Sequence, residues 1–323
     1  MNRRLFFVAL ASGLWLTHGS LSTAQQRIRR IGFLSYCVSS FDEQGFKQGL
    51  RELGYIEGKN IQIEWRRHLE NAQELQPAAD ELVRSKVDIL VTCGSPAARA
   101  ALAATKTTPV VFTTGDPVSS GFVASLANPG ANATGVSILG PELAAKRLDL
   151  LRQLSPRVQR VALISNIANP GSAPALKNLQ AAAKTLQIKV ESYNARNALE
   201  LDSALRAIRW KSIDGVMVGA DAGLVLSQGA KIAQAIRKAR LPAVFPWRQF
   251  HEYGVVMSYG PDSRELMRRG AQYVDKILKG ANPADLPVEQ VSKVDLVIDL
   301  RVAHELGITV PPELLYRADE VIR

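Results

Sequence analysis

From residue 28 onward the chain alternates short β-branched runs with longer segments of helical period. Apolar runs over 31–36, 61–65, 88–92, 110–113 and 134–137 predict strands. Helical stretches between them are predicted over 72–85, 96–105 and 118–127. Ser40 and Glu43 make a capping box for a first helix with Phe46, Leu50 and Leu53 on one stripe, ended by Gly54. A helix after Pro141 carrying Leu148, Leu151 and Leu154 leads into a second series, with strands at 160–165, 189–193, 215–218, 243–245 and 255–258. Its helices are predicted at 173–186, 199–210 and 224–239. Strand and helix in strict alternation is the pattern of βαβ units. The expectation is an α/β protein of two doubly wound parallel-sheet lobes joined by a hinge. A long helix over 262–280 and a strand region over 291–300 are surplus to two simple sheets and imply that the chain crosses between lobes more than once. The expected division is 1–24 as a leader, 28–138 plus 256–283 as the N-terminal lobe, and 139–255 plus 284–323 as the C-terminal lobe.

The leader changes the compartment. Arg3 and Arg4, an apolar run from Leu5 to Leu16, and Ser22-Thr23-Ala24 before Gln25 form the tripartite pattern of a secretory signal peptide. The run is shorter than the ~20 residues that span a bilayer, so a periplasmic protein, soluble after cleavage, is expected. Cys37 and Cys93 each follow an apolar strand, and in an oxidising compartment they are either a disulfide or two buried thiols; spacing does not choose between these.

The 323 residues are 46% hydrophobic and 22% charged, which is globular composition long enough for two cores. Net charge is +10, falling to +8 when Arg3 and Arg4 leave with the leader. The basic residues are dispersed, and the pairs Arg66–Arg67 and Arg268–Arg269 lack interleaved aromatics, so the charge reads as solubility with no nucleic-acid partner.

Catalytic motifs are missing. His18, His68, His251 and His304 are scattered, with no zinc spacing, no G-x-S-x-G elbow and no G-x-G-x-x-G. The expectation is no enzyme, no metal and no cofactor. What recurs is a strand followed at once by a turn that opens a helix: Gly94-Ser95-Pro96, Gly115-Asp116-Pro117 and Asn169-Pro170, with Asp221 in a similar place. Such turns lie at the carboxyl edge of a parallel sheet, where open α/β sheets bind ligands. Aromatic residues fall at the same edges: Tyr36, Trp247, Phe250 and Tyr259. A cleft between two such edges fits a small-molecule solute. A hydrolase using Ser95 is a rival that would need a nearby base, and nothing in the sequence places one there.

Several segments together resemble the ABC-transporter substrate-binding proteins that include binders of tryptophan and other aromatic amino acids. They are Gly45-Phe46 with Gly49-Leu50, Leu53-Gly54-Tyr55, the stretch from Asp88 through Cys93-Gly94-Ser95-Pro96-Ala97-Ala98, and Gly115-Asp116-Pro117-Val118. Near the C-terminus Tyr273 to Gly280, Pro283 to Pro287, Leu306 to Pro312 and Arg317 to Ile322 continue the likeness. The resemblance implies a type I periplasmic-binding fold with three crossovers, a monomer that delivers its solute to an ABC permease in the membrane, and an inter-lobe site. By that implication Ser95, Pro96 and Ala97 present backbone groups to a ligand carboxylate, with Asp116 on the neighbouring loop and Asn166, Asp221 and Trp247 approaching from the second lobe. Asp221 or Asp116 would meet an ammonium group, and Tyr36, Trp247 or Tyr259 would cover the apolar body. The residues around 63–68 and 35–38 depart from the tryptophan binders, which leaves the solute open beyond a small carboxylate, aromatic amino acids among the candidates. A ligand-sensing module of a signalling system is the alternative with the same fold.

Overall fold

The computed structural model describes residues 27–36, 40–67, 72–138, 140–221 and 223–323; the leader expected at 1–24 lies outside them. In the first lobe the chain runs β1 (Arg29–Ser35), α1 (Ser40–Glu52), β2 (Ile61–Arg66), α2 (Leu75–Arg84), β3 (Ile89–Cys93), α3 (Ser95–Ala104), β4 (Val110–Thr114) and β5 (Ala133–Ile138). The second lobe takes α4 (Gly140–Leu154), β6 (Arg160–Ser165), α5 (Ser172–Leu186), β7 (Lys189–Asn194), α6 (Ala198–Ala207), β8 (Gly215–Val218), α7 (Leu224–Ser227), α8 (Gly229–Ala239), β9 (Ala243–Phe245) and β10 (Met257–Gly260). The chain then crosses back through α9 (Ser263–Leu278) to β11 (Glu289–Val291), and finishes in the second lobe with β12 (Asp295–Asp299), α10 (Leu300–Leu306), α11 (Pro312–Tyr316) and β13 (Glu320–Ile322).

The first sheet has the order β11-β5-β4-β3-β1-β2 and the second β13-β12-β10-β9-β8-β6-β7. Among the described residues every pairing of these strands is parallel except β10 with β12. Helices cover both faces of each sheet, which is why β3 and β4 are buried along their whole length and open on the apolar runs Ile89–Val91 and Val110–Phe112. Two cores form in each lobe, one on either side of its sheet.

Sheet membership corrects the expected boundaries in two places. β10 falls within the 256–283 expected in the first lobe, yet Met257 and Ser258 pair with Val244 and Phe245 of the second sheet. β11 falls within the 284–323 expected in the second lobe, yet Glu289 to Val291 pair with Val136 to Ile138 of the first. The cause is α9, an amphipathic helix whose Leu266, Met267, Ala271 and Val274 complete the core over β1, β3 and β4. It packs on α1 at backbone distance: a Cβ on Gly45 would lie 2.1 Å from the Arg264 carbonyl oxygen. Three crossovers result.

Two helices also differ from the sequence pattern. No helix forms over 118–127. Asp116 instead closes a turn, its carboxylate accepting from the Ser119 amide and hydroxyl, and Gly121 at φ +72° turns the chain away. The helix expected over 224–239 breaks at Gln228 into α7 and α8. Asp262 caps α9, accepting from the Arg264 amide.

Candidate functional site

The carboxyl ends of both sheets face each other across a cavity of about 140 Å³. An apolar cavity of roughly 150 Å³ is large enough to take benzene. The first lobe lines it with Asp42, Cys93 to Ser95, Thr113 to Gly115, and Leu266 of α9. The second supplies Leu163, Leu176, Leu179, Met217, Leu226 and Trp247, with Arg147, Asn169 and Gln249 as polar members.

The lobes touch around this cavity. Tyr36, at the end of β1, is buried with its ring pressed on the second lobe: a Cβ on Gly223 would fall 2.2 Å from the ring. Its hydroxyl accepts from Asn166 Nδ2 at 3.4 Å. On the other side a Cβ on Gly171 would lie 3.6 Å from Ser95 Oγ.

Asp221 sits behind the second-lobe wall. Its Oδ2 accepts from Asn166 Nδ2 at 3.1 Å and Asn169 Nδ2 at 2.9 Å, and its Oδ1 from the Val225 amide at 3.2 Å. Burial pushes its pKa up, and these hydrogen bonds oppose the shift. The Tyr36 hydroxyl is also raised, first by burial and then by the charge of Asp221. The cluster carries one potential negative charge whose acceptors are already engaged, so it positions Asn169 and seats Tyr36.

Of the residues expected at the site, Ser95 and Trp247 line the cavity. Ser95 Oγ is hydrogen-bonded to Thr114 Oγ1. Trp247 stacks on Phe250 with ring centroids 6.3 Å apart and planes within 8°. The other seven are displaced from the lining. Ala97 is core beneath α3, and Pro96 is in its first turn. Asp116 is spent on its turn. Tyr36, Asn166 and Asp221 form the inter-lobe contact just described. Tyr259 packs against the second-lobe core and offers its carbonyl to Arg147. All seven lie at or near the carboxyl edges of the two sheets, with their side chains engaged elsewhere.

Three polar residues on the wall escaped the sequence reading. Arg147 of α4 is 3% exposed; its Nε donates to the Tyr259 carbonyl at 2.7 Å and its Nη2 to the Pro246 carbonyl at 3.4 Å. Burial lowers its pKa to about 10. A signal existed: Arg147 interrupts the apolar face made by Ala144, Leu148 and Leu151. Gln249 donates through Nε2 to Ser263 Oγ at 2.6 Å, while its buried Oε1 has no hydrogen-bond partner. Asp42, in the first turn of α1, is 4% exposed and its pKa is pushed up to about 7, chiefly by burial, with Asp262 and Glu43 adding repulsion and a hydrogen bond from Ser263 opposing it.

Cys93 is disulfide-bonded, so the alternative of two free thiols does not hold; Cys37, the other cysteine of the chain, lies outside the described residues, as does His68. His251 is held neutral, its pKa pushed down to about 4 chiefly by burial, and its Nε2 meets Ser258 Oγ at 3.0 Å. Among the described residues no helix is long and apolar enough to cross a membrane.

Two wound lobes closing on a small cavity between their carboxyl edges define a type I periplasmic-binding architecture. The family model for ABC transporter substrate binding proteins matches residues 34–322, and the chain belongs to that family, whose members bind solutes without turning them over. It is 26% identical over 259 residues to the tyrosine-binding protein of Clostridioides difficile strain R20291, covering 80% of this chain and 74% of that protein. The structure is similar to an ABC domain from Streptococcus pneumoniae solved in complex with L-Trp (TM-score 0.85, 26% identity, 91% of this chain and 99% of that one). It is equally similar to a conserved domain protein from Vibrio cholerae (TM-score 0.86, 30% identity, 91% and 100%).

Proposed function

We propose that this protein is the exported receptor of an ABC importer, capturing a small carboxylated solute with an apolar body between its lobes and delivering it to a membrane permease. The observation that carries the reading is the largely apolar cavity built by both lobes, with Trp247 on its wall. A solute contacting both walls stabilises the form in which they meet, which couples binding to recognition by a partner. Relatives named for tyrosine and solved with L-Trp make an aromatic amino acid the leading candidate. The leader supports a periplasmic location, the family resemblance supports a monomer, and the dispersed charge speaks against a nucleic-acid partner. Within the site, Ser95 and Trp247 touch the solute; Tyr36, Asn166 and Asp221 hold the lobes together around it; and Asp42 replaces Asp116 and Asp221 as the carboxyl that faces an ammonium group.

The test is a thermal-shift screen of protein refolded to strip any carried ligand, against amino acids, aromatic acids, nucleosides and sugars. L-tryptophan or L-tyrosine should raise Tm with the logarithm of concentration, by the free energy of binding to the native state alone. Stabilisation by sugars or nucleosides alone would replace the proposed solute class.

A further inference from the structure

Arg147 is a buried charge for which the fold provides no counter-ion. Among the described residues it takes part in no ion pair, and its two hydrogen bonds go to neutral carbonyls. The contrast with Asp299 is direct: that carboxylate is as deeply buried but is met by the Arg301 guanidinium and by the amides of Arg301 and Val302. Taking a charge out of water costs several kcal/mol unless it is paired and fully hydrogen-bonded. A guanidinium carries five N–H donors in a planar fork, and here only two bonds are made.

The unmet donors belong to a residue on the cavity wall. A second unmet group lies on the same wall and is of the opposite kind: Gln249 Oε1, a buried acceptor with no partner. Both are fixed by the same two segments. The Pro246 and Tyr259 carbonyls hold the guanidinium, while Gln249, three residues after Pro246, is tied to Ser263 at the start of α9. An unsatisfied cationic fork and an unsatisfied acceptor, both buried, describe a complement: an anion with a hydrogen-bond donor close to it.

We propose that Arg147 is the anion-receiving residue of the cavity, taking the ligand's carboxylate, and that Gln249 Oε1 takes a donor adjacent to that carboxylate. The ligand class is then a monocarboxylate with an amino or hydroxyl group beside the acid and an apolar body against Leu176, Met217 and Trp247. This rests on the reading of the cavity as a solute site and moves the carboxylate from the start of α3, where the family resemblance put it, to the second lobe. Ser95, already bonded to Thr114, is left as a neighbour.

Calorimetry with L-tryptophan, indole-3-propionate and tryptamine separates the parts. Wild type should bind the two acids about tenfold or more tighter than tryptamine, the scale of a charged hydrogen bond. Arg147→Met should lose about that factor for both acids and leave tryptamine unchanged. Gln249→Leu should weaken L-tryptophan more than indole-3-propionate. Should Arg147→Met fail to fold, Arg147→Lys keeps the charge without the fork and should still lose several-fold for both acids. Acid affinities unchanged in either Arg147 variant, or tryptamine binding wild type as tightly as the acids, would overturn the proposal. If wild type binds tryptamine but no acid, the anion site is wrong while the solute cavity stands. If it binds none of the three, and nothing in the thermal-shift panel, both readings fall.

Discussion

The two lobes share an architecture but meet the cavity with different chemistry. The first presents Asp42, Ser95, Thr113 and Thr114, small polar groups at strand ends and helix starts; the second presents Leu163, Leu176, Met217, Leu226 and Trp247, with Arg147 set among them. On the first side the Ser95 and Thr114 hydroxyls satisfy each other, and Asp42 is linked through Ser263 to Gln249. On the second, the polar groups of Arg147 and Gln249 remain partly unmet. The hydroxyls of one wall are paired within the protein, while the other keeps unmet polar groups. On the proposal that Arg147 receives the ligand's carboxylate, the second lobe carries most of the selectivity.

The comparison breaks most visibly at Asp42. Its folded pKa, near 7, lies above the ordinary carboxylate value, so the folded state binds more protons than the unfolded one between about pH 4 and pH 7. Stability contributed by this group is present at low pH and lost as pH rises through that window. At about 1.4 kcal/mol per pKa unit, Asp42→Asn should be more stable than wild type at pH 8 by up to about 4 kcal/mol, the difference vanishing near pH 4. His251 pulls the other way, since its depressed pKa makes stability fall as pH drops from about 6.5 to 4; the readout is therefore the difference between variant and wild type in urea unfolding. A pH-independent difference would mean that Asp42 is not a desolvated acid.

On the opposite wall, Trp247 belongs to the second-lobe core as well as to the cavity, packed against Phe250. Trp247→Ala should cost about 3 kcal/mol of stability, at the low end for aromatic truncation because the ring is at a wall. It should also weaken aromatic ligands more than aliphatic ones. Equal loss for both would confine Trp247 to packing.

The smallest expected effect concerns how the walls meet. A methyl added at Gly223 would collide with the Tyr36 ring. Gly223→Ala should reduce ligand affinity about tenfold, since apparent affinity scales with the fraction of molecules able to close. Wild-type affinity in calorimetry, with unchanged compaction on binding by small-angle scattering, would remove Tyr36 from the closing contact.

Much of this molecule is legible one residue after another. Hydrophobic period separated strands from helices because each pattern buries one face only in its own geometry, and the apolar runs that open β3 and β4 fit sheets covered on both sides. Turn chemistry at the strand ends marked the sheet edges that face the cavity, and the segments from Gly45 to Ile322 resemble the family to which the chain belongs. The failures share a cause. The 118–127 segment has helical spacing, but a side-chain turn at Asp116 competes locally with the helix. β10 and β11 lie on the sheets opposite to those expected because α9 is amphipathic enough to cover either lobe, and only its contact with α1 decides which. Asp116 and Asp221 stand where ligand groups are expected, whereas Arg147 is marked in the sequence only by its place among the apolar residues of one helix face. Whether a polar group is spent within the protein or left for a ligand depends on partners far away in sequence: Tyr259 and Pro246 for Arg147, Asn166 and Asn169 for Asp221. The sequence by itself determined the elements, the family and the edge at which the cavity lies; only the tertiary structure decided which polar groups there remain unsatisfied, because burial and pairing are properties of assembled neighbours.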